Sequence, residues 1–197
     1  EIGYNDAQSG TYAQHNGVWG DVPGAIETHA AKNITITNSE LRNLGIGGIR
    51  IGNGSSDCAI TNSAIHDISS SGIFIGNNTG HNHGYCDPGT DVTGVVVRNN
   101  YITRTGLDIF GSSAICALYI SDTVIDHNEV CYTTYTGISL GWGWDWKNAP
   151  CSGNNTVSNN YIHDTGKTIH DGGSFYSLGL QEGTKVFGNY LHHHSDG

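Results

Sequence analysis

Three tryptophans stand at alternating positions in Gly141-Trp142-Gly143-Trp144-Asp145-Trp146, just past an alternating apolar segment. Flat apolar rings with polar edges suit the C–H faces of sugars. Three such rings in one short stretch are too many for a single coil's interior. Trp142, Trp144 and Trp146 are therefore expected to stack on a glycan, with loop packing as the plainer reading. Asp145 lies inside this stretch, and Asp171 lies in Ile169-His170-Asp171-Gly172-Gly173. Glycosidic cleavage needs one carboxyl to protonate the leaving oxygen and a second to activate water or attack. Two carboxyls of this kind could face each other across a groove. Asp in a Gly-rich loop also caps turns, and the residues alone leave both readings open.

Other reactive side chains point to less. His81 and His83 near Cys86 and Asp87 resemble half a metal site, but no second distant cluster completes it. No metal and no cofactor is expected. No Ser or Cys sits in a nucleophile elbow, and no phosphate-binding loop is present. Five cysteines are an odd count, so at least one is free or bonded to another chain. Cys131 and Cys151 flank the tryptophan stretch and are the expected disulfide, pinning that loop at its base. Asn-x-Ser/Thr triplets begin at Asn33, Asn53, Asn77 and Asn154, about the number chance would produce in so Asn- and Ser/Thr-rich a chain. They are glycosylation sites only if the protein is secreted.

These residues are positioned by an internal repeat. One frame reads Ile36-Thr37-Asn38-Ser39-Glu40-Leu41, then Ile60-Thr61-Asn62-Ser63-Ala64-Ile65, and returns from Val97, Ile125, Val157 and Val186. Its fourth position is Ser39, Ser63, Asn100, Asn128, Asn160 and Asn189, at spacings of 24, 37, 28, 32 and 29 residues. A second segment recurs as Gly48-Ile49-Arg50-Ile51-Gly52, Gly72-Ile73-Phe74-Ile75-Gly76 and Gly137-Ile138-Ser139-Leu140-Gly141. Period-two alternation marks strands with one buried face. Short strands at a coil-length period predict an all-β, right-handed parallel β-helix of about six to seven coils. Ser and Asn at the fourth position are expected to stack from coil to coil. An antiparallel sandwich would instead show hairpin turns every ~8–12 residues. The longer spacings locate loop insertions near 77–93 and 142–154, where a solenoid tends to bind. Outward positions of the second segment read Glu27, Arg50, Phe74, Cys116, Ser139 and Ser177, with Tyr176 and Leu178 inward.

Residues 1–197 fit a single β-helix domain, a segment of a longer protein. Lys+Arg 8 against Asp+Glu 18 gives a net charge of −10. Nucleic acid needs clustered cations, and an anionic membrane surface does too. No apolar run approaches the ~18 residues of a membrane span, so no membrane insertion is expected. Neutral glycans or divalent cations remain acceptable partners. Coil ends with open strand edges also allow end-to-end self-association.

Ala31-Lys32-Asn33-Ile34-Thr35-Ile36, Gly48-Ile49-Arg50-Ile51-Gly52, Tyr135-Thr136-Gly137-Ile138-Ser139-Leu140-Gly141-Trp142-Gly143-Trp144 and Asp171-Gly172-Gly173-Ser174-Phe175-Tyr176-Ser177-Leu178-Gly179 resemble the β-helix proteins around glycoside hydrolase family 141. That group includes fucosidase and xylanase activities. The resemblance implies secretion, polysaccharide contact and carboxylate-based hydrolysis. On it, Asp171 is the expected catalytic carboxyl with Asp145 or Glu27 as the other. Arg50, His170 and Tyr176 join the tryptophans as substrate contacts. A non-catalytic adhesive module is the alternative. A polysaccharide lyase is weaker, because Arg50 has only Glu27 as a ladder neighbour.

Overall fold

The computed structural model describes residues 22–76, 91–141 and 151–195. Every strand pairing among them is parallel, and three six-stranded sheets run the length of the chain. The first sheet contains Gly24–Thr28, Gly47–Ile51, Ile73–Gly76, Ile115–Leu118, Ile138–Leu140 and Phe175–Ser177. The second contains Thr35–Thr37, Ala59–Thr61, Val96–Arg98, Val124–Asp126, Thr156–Ser158 and Lys185–Phe187. The third contains Glu40–Leu44, Ala64–Ile68, Tyr101–Thr105, Glu129–Cys131, Tyr161–Thr165 and Tyr190–His194. Each coil visits the sheets in turn, so the expected parallel β-helix is the fold. Among the described residues no helix is long and apolar enough to cross a membrane.

The core is a set of aliphatic ladders. Ile36, Ile60, Val97, Ile125, Val157 and Val186 are register partners along the second sheet, as their common repeat position predicts. Leu41, Ile65, Ile102, Val130, Ile162 and Leu191 form the matching ladder of the third. Interior members such as Ile60, Ile65 and Ile102 are fully buried. Each contributes roughly 1.5–3 kcal/mol of burial. In the last described coil, Val186 and Leu191 are exposed.

The corners are built from left-handed residues. Asn38, Asn62, Asn99, His127 and Asn159 all have φ between 51° and 56°, and Gly188 takes the same place in the last coil. Asn tolerates this region better than other side chains, and Gly pays nothing for it. The next residue then turns inward. The backbone N–H and Nδ2 of Asn100 both donate to Asn128 Oδ1 at 3.0 Å, and Asn160 repeats the contact to Asn189 at 2.9 Å. The expected stacking at the fourth position is thus an amide ladder. Val92–Thr93 is already strand, paired with Ile120–Ser121, so the coil resumes inside the margin expected for the first insertion.

Candidate functional site

The first sheet carries most of the expected site. Its outward ladder runs Glu27, Arg50, Phe74, Cys116, Ser139 and then Tyr176. The expectation that Ser177 ends this ladder, with Tyr176 inward, is one residue out of register. Ser174 carbonyl accepts from Ile138 N–H at 3.0 Å, which sets Phe175 opposite Ile138 as the inward residue. Tyr176 therefore faces outward and Ser177 falls opposite Leu140. Leu178 packs outside the core, against the cluster of Phe74, Cys116, Leu118, Tyr119 and Tyr135. That cluster covers the middle of the outer face: Phe74, Cys116 and Ser139 are all buried.

Two polar ends remain. At one, Glu27 Oε1 accepts from His29 Nε2 at 2.8 Å and lies 3.7 Å from Arg50 Nε. The Arg50 guanidinium sits 5.3 Å from the centre of the Phe74 ring, a cation–π contact that helps hold a mostly covered charge. At the other end, Asp171 is exposed on the loop that follows Tyr161–Thr165. This loop is laid on the preceding coil by Gly166 N–H to Tyr135 carbonyl (2.8 Å) and Ile169 N–H to Thr134 carbonyl (2.9 Å). His170 is tied back through its Nδ1 to Gly166 carbonyl at 3.1 Å. Gly172 has φ +120°, and a Cβ there would lie 2.9 Å from the Tyr135 ring, so only glycine lets the loop close on that ring.

The Asp171 charge acts on two phenols. Burial, and next the Asp171 charge, push the Tyr135 hydroxyl up to about 12. The same two causes, in the same order, raise Tyr176. Both phenols are thus held as hydrogen-bond donors beside one exposed carboxylate. The structure does not bring Glu27 to this group. Their strands stand at opposite ends of the six-stranded sheet, five steps of ~4.8 Å or about 24 Å apart. Glycosidase carboxyls stand at most ~9.5 Å apart, so Glu27 and Asp171 are not a catalytic pair. Arg50 lies at Glu27's end for the same reason. Trp142, Trp144, Trp146 and Asp145 lie outside the described residues, as does Asn77. Asn33, Asn53 and Asn154 are exposed. The expected Cys131–Cys151 bridge is not formed: Cys131 is a free, buried thiol on the third sheet, where its Sγ donates to Thr103 Oγ1 at 3.4 Å. It points outward beside its register partners Thr103 and His163.

Sequence reasoning missed a second constellation, on the outer face of the third sheet. Its outward positions are two parallel columns. One passes through Tyr101, Glu129, Tyr161 and Tyr190, the other through Thr103, Cys131, His163 and His192. Tyr161 and Tyr190 stack at 5.5 Å, and His163 and His192 at 5.2 Å, both nearly parallel. His163 Nδ1 meets Asp164 Oδ2 at 2.8 Å and its Nε2 lies 3.4 Å from Glu129 Oε1. Hydrogen bonds from His163 and then Lys167 hold the Asp164 carboxyl down at about 2. The only signal in the sequence was the fifth repeat position and its neighbour two residues on. Tyr recurs at the first of these as Tyr101, Tyr161 and Tyr190, and His at the second as His66, His163 and His192, but Glu129 and Cys131 interrupt both columns.

Residues 24–197 match the family described as "Right handed beta helix region". The chain is similar to a solved structure titled "Glycoside hydrolase", at 27% identity and a TM-score of 0.74. That match covers 85% of this chain but 30% of the other, so the chain spans under a third of that protein's length. It is also similar to the alginate lyase from Paenibacillus sp. str. FPU-7, at 18% identity and a TM-score of 0.41, over 86% of this chain and 67% of that one. No curated protein matches the chain.

Proposed function

The chain belongs to the right-handed β-helix family, and from that membership we propose that it is a carbohydrate-active protein that hydrolyses glycosidic bonds of a polysaccharide. The observation that carries the reading is the exposed Asp171 carboxylate on the loop that closes at Gly172 on the Tyr135 ring, with its charge felt by both Tyr135 and Tyr176. A carboxyl at the rim of the coil stack can exchange a proton with a glycosidic oxygen. The partly exposed Tyr176 phenol can donate to a sugar hydroxyl, while the buried Tyr135 supports the loop from beneath. The likeness to a glycoside hydrolase supports the reaction class, with the share of that protein's length bounding what it says. Glu27 being too distant, Asp145 is the candidate for the second carboxyl, and the tryptophans around it for the sugar platform. A polysaccharide substrate would put the protein outside the cell, where the exposed Asn33, Asn53 and Asn154 could carry glycans.

The test is release of reducing sugar from a panel of fucosides and xylans by the native chain and by Asp171→Asn. Loss of proton transfer should cost ~10²–10⁴-fold in rate. Equal rates would remove Asp171 from the mechanism.

A second reading is a non-catalytic structural or adhesive module, since a stack of parallel coils offers strand edges for end-to-end association. Concentration-dependent assembly by sedimentation, with no turnover of any glycan, would favour it over hydrolysis.

A further inference from the structure

We propose that Glu129, Cys131 and His163 form a binding site for a zinc-class divalent metal ion on the outer face of the third sheet. One carboxylate oxygen, the Sγ and one imidazole nitrogen all lie within 4.8 Å of one another. The ladder explains why. Glu129 and Cys131 are two residues apart on one strand and so share a face, and His163 is the register partner of Cys131 on the next coil. Tetrahedral zinc with bonds of ~2.0–2.3 Å holds its ligand atoms roughly 3.3–3.8 Å apart. Nε2 and Glu129 Oε1, at 3.4 Å, already have that separation. A thiolate, an imidazole and a carboxylate together select zinc or cobalt over calcium or magnesium.

A second observation points the same way. Asp164 takes the Nδ1 side of His163, and is itself held by Lys167 Nζ at 2.9 Å. Nε2 is then the ring nitrogen turned toward the Glu129 carboxylate, 3.4 Å from Oε1. The carboxylate–histidine–metal arrangement is the usual way a protein fixes a ligating imidazole. Asp164 has φ +51°, which turns its side chain back toward its neighbour's ring.

Cys131, His163 and Asp164 also have the order of an acyl-transfer triad, but burial argues against it. Cys131 is 1% exposed, so no substrate carbonyl reaches Sγ, and burial holds the thiol protonated. A bare ion can enter past Glu129, whose side chain is 45% exposed, and it deprotonates the thiol on binding. Three protein ligands leave a fourth position open, the pattern of a zinc site that binds water or substrate.

Cobalt(II) titration of the chelator-treated full chain tests this. The expected result is one equivalent bound at pH 7.5, with a thiolate-to-cobalt charge-transfer band and tetrahedral d–d bands that zinc displaces. Cys131→Ser should abolish the charge-transfer band. Glu129→Gln, at a half-exposed position that the fold tolerates, should weaken zinc binding by at least ~10-fold. Asp164→Asn should keep the band and weaken affinity by ~10–100-fold, as a positioning residue does. Absence of the band in the native chain, its survival in Cys131→Ser, or unchanged zinc affinity in Glu129→Gln would each overturn the proposal.

Discussion

Asn128 and Asn160, 32 positions apart, are joined twice: the backbone N–H and the Nδ2 of Asn128 both donate to Asn160 Oδ1 at 2.9 Å. Asn128 Nδ2 also donates back to Val97 carbonyl at 3.0 Å. One buried amide thus ties its own coil to the coils on both sides. Asn128→Ala should cost about 2–3 kcal/mol, because buried donors and acceptors on both neighbours lose partners. Asn128→Ser should cost less. Ser63 in the same column still accepts from Ser39 N–H at 3.2 Å, so a hydroxyl keeps one of the contacts. Urea unfolding of the three forms checks the order.

Asp126 gives the fold an acid-sensitive joint. Its carboxylate accepts from Ser158 Oγ (2.7 Å), Asn159 Nδ2 (3.1 Å) and Arg98 Nε (3.0 Å), with His127 Nδ1 at 2.8 Å. Burial raises its pKa, but these bonds more than offset that and hold it well below the ordinary 3.8. A depressed carboxyl contributes stability above its unfolded pKa and loses it as pH falls through the folded one. Asp126→Asn should therefore destabilise by about 1–3 kcal/mol at pH 7, with the gap to the native chain closing below about pH 3. Equal gaps at pH 7 and pH 2.5 would show that the carboxylate's charge contributes nothing.

Tyr135 reports on Asp171 without any substrate. Alkaline difference titration against Tyr135→Phe should assign to Tyr135 an ionisation near pH 12. Burial is the larger cause, so Asp171→Asn should lower that value only in part. No movement at all would separate the carboxylate from the phenol, and with it the grouping on which the hydrolytic reading rests.

Gly76 should be the least replaceable residue of the first sheet. It has φ +99°, and a Cβ would fall 1.8 Å from Leu118 carbonyl oxygen, its register partner's own ladder acceptor. Gly76→Ala should cost about 3 kcal/mol or more, or roughly 6–12 °C in melting temperature for a chain of this size.

The coil architecture was legible in the chain because a buried stack repeats its residue type. Ile36, Ile60, Val97, Ile125, Val157 and Val186 share one environment and so one chemistry. Asn at the corners was legible for the same reason, since one position needs a residue that accepts φ near +53° and the next needs an amide with a partner above and below. Tyr176 was misplaced because the glycine after the strand was used to align it, whereas Phe175 competes for the inward place and wins by being apolar. The Glu129–Cys131–His163 cluster was not legible at all. Glu129 and Cys131 share one strand, but His163 lies 32 to 34 positions further on, and only the register makes it their neighbour.

Inter-coil hydrogen bonds in all three sheets lie along the solenoid axis, while covalent bonds run around it. Tension applied along the axis loads the three strand pairs of one interface together, as bolts in a flange share a load. Tension on the last strand alone, Tyr190–His194, loads them one after another, as a zip does. The molecule is therefore stiff to axial pull and weak to peeling from an end, and whatever covers Phe187 and Tyr190 there decides which of the two strengths is met first.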